Sequence, residues 1–310
     1  MNDEYAELAA SAAEMARQAG ARLLETMGER PLVEYKGKGE VDPVTALDRE
    51  VEATLQDAIR ARFPGHGILG EEGAAAPAEG SPYLWVIDPI DGTANFLNGL
   101  PLFAVSIGVL NEGLPVAAAI FLPAGPGGRA GVVRAGRGCG AFFLPVGDED
   151  EEERRLEIPT RETPDASGTV GLPAAWASIY RFERPLDRRH GQPRSLGSIA
   201  LELSYVAAGM LQYAVFGPSR LWDVAAGVLL VQEAGGVVLM RSRRGAWQPV
   251  ERFESPAGDG PELERLRSWW LGSMVAGSPA LAWNVANALR PRRSALAWLR
   301  RLLRRRGGRS

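Results

Sequence analysis

The stretch that most constrains this chain is Tyr83 to Phe96, Y-L-W-V-I-D-P-I-D-G-T-A-N-F. An apolar run ends in one acid, Asp88, and a second acid, Asp91, follows three residues later across Pro89 and Ile90. The run reads as a buried strand, and the Gly92-Thr93 step after it opens a new segment. A strand that delivers two carboxylates to a tight turn suits a hard, oxygen-liganded cation such as magnesium. A fold built on this stretch has to bury the strand and bring further oxygen donors to its end.

Composition limits where those donors come from. The 310-residue chain has one cysteine, Cys139, and two histidines, His66 and His190. That excludes an internal disulfide framework and a multi-cysteine zinc site, and leaves acid–base and metal chemistry mainly to carboxylates. An apolar fraction of 45% and a charged fraction of 24% are ordinary for a globular chain forming one large domain or two intimate ones. No run of 18 uninterrupted apolar residues occurs, and the N-terminus opens with Asp3, Glu4 and Glu7 rather than basic residues. The expectation is therefore a cytoplasmic protein without a membrane span.

Taken in order, the chain first offers an amphipathic helix over residues 3 to 27, with Leu8, Ala12, Met15, Ala19, Leu23 and Met27 on one face. An extended stretch from Val33 to Glu40 follows; its glycine-flanked Lys36 and Lys38 read as exposed. Asp42-Pro43-Val44-Thr45-Ala46-Leu47-Asp48 leads into a second helix ending near Phe63, with Thr45 as N-cap and Asp48 three residues on. His66 reads as a turn residue, and Glu71 and Glu72 precede a soft loop from Ala74 to Ser81. After the central motif, strands over 103–109 and 115–122 flank Asn111-Glu112-Gly113, a hairpin signal. Further strands over 130–134 and 141–146 make a mostly antiparallel sheet. The six acids from Asp148 to Glu153 read as a solvated loop near a domain boundary.

The second half alternates. Strands are expected over 169–172, 212–216 and 237–240, and helices over 173–184, 195–208 and 223–234, which is an α/β pattern. Trp222-Asp223-Val224-Ala225-Ala226-Gly227 places Asp223 at a helix start, where an acid can cap the helix or face a cleft and bind a cation. The organisation compatible with this pattern is an α+β half over 1–150 and an α/β half over 151–285. A basic tail over 286–310 completes it.

Gly70-Glu71-Glu72, Asp88-Pro89-Ile90-Asp91-Gly92-Thr93 and Trp222-Asp223-Val224-Ala225-Ala226-Gly227, in this order and spacing, resemble the inositol monophosphatase family of magnesium-dependent, lithium-sensitive phosphatases. Asp42-x-Val44-Thr45-x-x-Asp48, Pro101 to Val109 and Glu233-Ala234-Gly235-Gly236 match it too, so the resemblance spans about residues 5 to 280. It implies a layered α+β/α/β sandwich, αβαβα, of the sugar phosphatase type, its α+β half over 1–150 carrying most metal ligands and its α/β half over 151–285 carrying Asp223 and the substrate-side pocket. The implied activity is a phosphomonoesterase using direct attack of water. Two or three magnesium ions are implied, with lithium as an inhibitor. By resemblance, Glu71, Asp88, the Ile90 carbonyl, Asp91 and Asp223 hold metal. Asp48 and Thr93, assisted by Glu71, activate the water. Asp91, Gly92, Thr93, Ser198, Arg220 and Asp223 contact substrate. A homodimer is the implied assembly, and no specific nucleic-acid partner is expected.

Two departures bear on the substrate. Inositol-preferring members carry a glutamate shortly before the Trp-Asp motif, whereas Gln212 to Arg220 here contains no acid. Arg220 instead suits a second phosphate or a nucleotide. Ile199, after Gly197-Ser198, is bulkier than the small residue often found there. Candidate substrates are thus inositol-phosphate-like esters, 3′-phosphoadenosine phosphates, fructose bisphosphate, histidinol phosphate and NADP. The alternative of another class is a catalytically weak regulatory or membrane-associated member. Residues 290 to 310 hold nine arginines and no acid, so with a net charge of −3 overall the remainder carries −12. Ser294 to Arg306 sets leucines and Trp298 against arginines, a pattern suited to an anionic membrane surface.

Overall fold

The computed structural model describes residues 2–28, 33–35, 43–73, 75–76, 80–147, 152–255, 257, 259 and 262–292. Asp42, Lys36, Lys38, the first four acids of the acidic run and the tail beyond residue 292 lie outside these residues.

The apolar stretch ending at Asp88 is a nine-residue strand, Tyr83–Asp91, inside an eight-stranded sheet. Its alternation separates two cores. Trp85 and Ile87 point to one face with Ile68, Val105, Ile107 and Phe121, where the helices Asn2–Thr26 and Ala46–Arg62 cover them. Val86 points to the other face with Leu69, Ala118 and Ile120. There the helices Ile199–Ala207 and Leu221–Glu233 pack, and the same core continues into Ala214, Phe216, Val238 and Ala276 of a second, six-stranded sheet. The far face of that sheet, Tyr213, Val215, Leu239 and Val275, is covered by the helix Pro279–Ala288. Helices, sheet, helices, sheet and helix stack in five layers, the αβαβα sandwich expected.

The large sheet is antiparallel except where Gly67–Gly70 runs parallel to Tyr83–Asp91. The expected hairpin is present, Ala104–Asn111 and Leu114–Leu122 joined through Glu112 and Gly113. Thr45 caps the second helix, with Asp48 returning the bond to the Thr45 amide at 2.8 Å. Glu153, the last of the acidic run, pairs with Arg134 at 2.6 Å.

Three stretches differ from their sequence reading. Residues 173–184 form one helical turn, Trp176–Ile179, and then a strand, Tyr180–Phe182, paired with Leu289–Pro291. Tyr180 and Phe182 are buried while Arg181 is exposed, a period of two that favours the strand. The helix read over 195–208 begins only after Ser198, because Gly197 has φ +79° and cannot continue a right-handed helix. Third, the helix Glu262–Ser268 and the strand Met274–Gly277 carried no sequence expectation. That strand runs antiparallel between Tyr213–Phe216 and Val237–Arg241 at the middle of the small sheet.

Candidate active site

The large sheet and the two middle helices bring the acids together. In the pairing of Tyr83–Asp91 with Ala104–Asn111, Asp88 faces Ser106 but Asp91 faces Ala104. Three steps on one strand match two on the other, so one extra residue is taken up between the acids. Strand alternation would send residues three apart to opposite faces. The bulge removes that offset, and Pro89, with no amide to give the ladder, is suited to it. In the parallel pair, Gly70 lies level with Ile87, so the next residues, Glu71 and Asp88, emerge side by side. The Glu71 amide donates to the Ile87 carbonyl at 3.3 Å.

Asp223 arrives from the helix layer. Ser106, the partner of Asp88, donates to the Trp222 carbonyl at 3.3 Å. Two residues on, Gly108 lets the helix Leu221–Glu233 lie against the strand: a Cβ there would stand 3.0 Å from the Ala226 nitrogen. Asp223 also receives the Arg220 amide at 2.7 Å, so it serves the start of its helix as well as the cleft.

Asp91 is held by the other middle helix. Its Oδ2 accepts the Ser198 hydroxyl at 2.7 Å and the Ala200 amide at 2.5 Å. Ser198 simultaneously caps that helix through the Leu201 amide at 3.2 Å. Gly92 runs against this turn so closely that a Cβ would lie 3.1 Å from Ser198 Cβ. Thr93 Oγ1 lies 3.0 Å from the Ile90 carbonyl and 3.4 Å from Asp48 Oδ1. Asp48 is buried, and its Oδ2 accepts the Thr45 amide and the Thr45 hydroxyl, the latter at 2.5 Å.

The electrostatics confirm convergence. Burial pushes the Asp88 carboxyl well above the usual carboxylate range, and the charges of Glu71, Asp91 and Asp223 push it further. Burial raises Asp91 to about 7 against the Ser198 and Ala200 hydrogen bonds, and raises Asp223 to about 8 with Asp91 as the next cause. Four carboxylates thus repel one another across one cleft, which a divalent cation would reverse. Among the described residues no three acids, histidines or cysteines are already drawn to coordinating spacing. A divalent counter-charge would favour drawing these acids closer. All donors are oxygens, the chemistry magnesium prefers, and the set fits that ion.

Arg220 is placed differently from a free anion-binding side chain. Its Nη1 donates to the carbonyls of Arg267, Ser268 and Trp269 at 3.3, 2.9 and 3.4 Å. Its guanidinium also lies 3.9 Å from the Trp270 ring centroid. Ile199 packs against the shared core. His66 accepts the Trp85 indole N–H at 3.0 Å, consistent with a structural turn residue.

Two buried acids had not been singled out. Glu52, one turn beyond Asp48, accepts the Glu72 amide at 2.7 Å and fixes the Glu71 loop. Glu202 accepts the Leu196 amide at 2.8 Å and shapes the turn that presents Ser198. Its carboxyl is raised to about 7, first by burial. The signal available in the sequence was position: Glu52 lies four residues after Asp48 on one helix face.

The sequence pattern of the inositol monophosphatase family matches residues 4–259. The Nus factor SuhB of Pseudomonas aeruginosa is 38% identical over 234 residues, covering 72% of this chain and 81% of that one. A fructose-1,6-bisphosphatase/inositol-1-monophosphatase of Thermotoga maritima is 35% identical over 222 residues, covering 72% and 80%. Among solved structures, the extragenic suppressor protein suhB of Bartonella henselae superposes with a TM-score of 0.67 at 28% identity, over 91% of this chain and 98% of that one.

Proposed function

The chain belongs to the inositol monophosphatase family and is a phosphoric monoester hydrolase, and we propose that it uses magnesium to hydrolyse a small polyhydroxylated phosphate by direct attack of water. The observation that carries this reading is the cleft in which Asp91 is held beside Asp88 and Asp223 on neighbouring elements, and in which the charge of Glu71 helps raise the proton affinity of all three. Glu71, Asp88, the Ile90 carbonyl, Asp91 and Asp223 would hold the metal. Bound magnesium neutralises a phosphate dianion and lowers the pKa of water.

The protein's own groups supply position and proton handling. With its proton turned to Asp48 Oδ1, Thr93 Oγ1 has a lone pair for the attacking water. Asp48 is fixed for that task by the Thr45 amide and hydroxyl. The water's proton then passes through Thr93 toward the Asp48 carboxylate, with Glu71 assisting. Gly92 N-caps and Thr93 opens the short helix Thr93–Leu97, whose first backbone amides would receive phosphate oxygens.

The substrate remains within the polyol-phosphate class. The segment before Asp223 offers a buried strand, Tyr213–Phe216, and no acid to bind inositol hydroxyls. The bifunctional Thermotoga relative makes fructose bisphosphate a natural alternative to inositol phosphates. A magnesium-dependent phosphate-release screen over inositol phosphates, fructose bisphosphate, 3′-phosphoadenosine phosphates, histidinol phosphate and NADP tests the reading. Turnover of at least one ester supports it, and none at any magnesium concentration refutes it. A regulatory role is the second reading, favoured by the relative named a Nus factor. The screen separates the two, since a purely regulatory member has no turnover. A cytoplasmic location is part of the same proposal; among the described residues no helix is long and apolar enough to cross a membrane.

A further inference from the structure

The segment 262–271 lies beyond the stretch matched by the family pattern, yet it reaches both edges of the acid cleft. At one end of the contact, Arg267 Nη2 donates to the main-chain carbonyl of Glu71 at 2.9 Å. The same nitrogen stands 3.8 Å from where a Gly73 Cβ would be, so the guanidinium lies along the Glu71-Glu72-Gly73 turn. That turn is gripped from behind by Glu52, which accepts the Glu72 amide at 2.7 Å. A charged donor on one side and a charged acceptor on the other hold the two ends of a single peptide group, the one between Glu71 and Glu72.

The other end of the segment meets the start of the Asp223 helix. The Arg220 guanidinium takes the last carbonyls of the helix Glu262–Ser268, where a cation is favoured. It also stacks on Trp270. The Leu271 amide donates to the Ser219 carbonyl at 2.9 Å. Arg220 in turn gives its own amide to Asp223 Oδ2 at 2.7 Å. Glu71 comes from the large sheet and Asp223 from the middle helix layer, so this short segment ties two acids contributed by different layers.

We propose that segment 262–271 is a positioning strap that sets the separation of Glu71 and Asp223, with Arg267 as the positioning residue for Glu71. The proposal rests on the reading of both acids as metal ligands. Arg267 touches neither substrate nor reacting atoms; it acts through the peptide of Glu71. Partners of this kind cost about 10–100-fold in metal affinity or activity when removed.

The test uses full-length Arg267→Ala and Arg267→Lys proteins. Hydrogen exchange over residues 70–73 is measured without metal, and magnesium binding by calorimetry. For Arg267→Ala we expect faster exchange at 70–73 and magnesium affinity about tenfold weaker. The kcat at saturating magnesium should stay within about twofold of the parent, because the acids themselves are intact. Arg267→Lys, which keeps a donor and a charge, should recover part of the affinity. Unchanged exchange overturns the strap. Faster exchange with unchanged magnesium affinity overturns the positioning role and leaves a packing contact. If Arg267→Ala does not fold, Trp270→Ala, which removes the stack at the Arg220 end, should weaken magnesium binding in the same direction; no change there overturns the proposal. A parent protein that binds no magnesium refutes the proposed function itself, a result distinct from any variant effect.

Discussion

Asp88 carries the most information at the scale of single residues. It is buried beside three other acids, and its carboxyl is raised far above the ordinary range. Asp88→Asn removes a charge that the folded chain accommodates poorly, so the metal-free variant should melt a few degrees higher than the parent. The same change replaces a carboxylate oxygen that would hold the metal with an amide nitrogen and should lower phosphate release by at least about a hundredfold. A calorimetric scan with a phosphate assay on one preparation checks both. Thr93→Val should lower kcat by about a hundredfold while magnesium binding is kept, because it removes only the hydroxyl between Ile90 and Asp48. Comparable losses in metal affinity would contradict that role. These acids were legible in the sequence because each sits in a short motif of fixed spacing. Arg220 shows the limit of such reading. A lone arginine before a Trp-Asp motif suits an anion, but its hydrogen bonds go to carbonyls of a helix some 47 to 49 residues away. Nothing local in the sequence encodes that partner.

Among elements, the approach of the helix Leu221–Glu233 to the strand Ala104–Asn111 decides where Asp223 stands. Gly108 makes that approach possible. Gly108→Val should force the helix outward, destabilise the fold by about 1–3 kcal/mol and weaken magnesium binding. Denaturant melts and a magnesium titration measure the two effects, and a variant with parental stability would contradict the close packing. The large sheet was readable because its strands are sequential and its hairpin carries Glu112-Gly113 between apolar runs. The small sheet was less so. Met274–Gly277 is a four-residue apolar strand whose neighbours lie some 34 to 64 residues earlier, and short apolar runs do not reveal their pairing. Likewise Trp176 to Phe182 mixes helix-compatible and strand-compatible residues, and pairing with Leu289–Pro291 decides the outcome. The bulge between Asp88 and Asp91 was visible only as a proline; its consequence, both acids on one side, required the partner strand.

For the whole molecule, proton and metal linkage follow from the cleft. Asp91 and Asp223 rise from 3.8 to about 7 and about 8 in the folded chain. Between the unfolded value and these values the folded state holds more protons than the unfolded one. Its stability therefore falls as pH rises through that window. Magnesium competes with those protons, so its stabilising effect should grow with pH. Melting with EDTA and with magnesium at pH 5.5 and pH 8.5 should show the larger magnesium shift at the higher pH; an equal or reversed difference would contradict the coupled cleft. The basic tail is a separate matter at this scale. Its leucine and arginine pattern motivates our proposal of a peripheral contact with anionic membranes, and the homodimer is likewise proposed. Full-length protein should co-sediment with anionic vesicles more than a chain ending at residue 292, and equal behaviour would remove the membrane contact.

The central claim is that these converging acids constitute a metal-dependent phosphatase site. The measurement that bears on it most directly is phosphate release by the parent and Asp88→Asn proteins, each with magnesium and each with EDTA, on the best ester from the substrate screen. The account predicts release only in the parent with magnesium. Appreciable release by the parent in EDTA, or by Asp88→Asn at the parental rate, would contradict it.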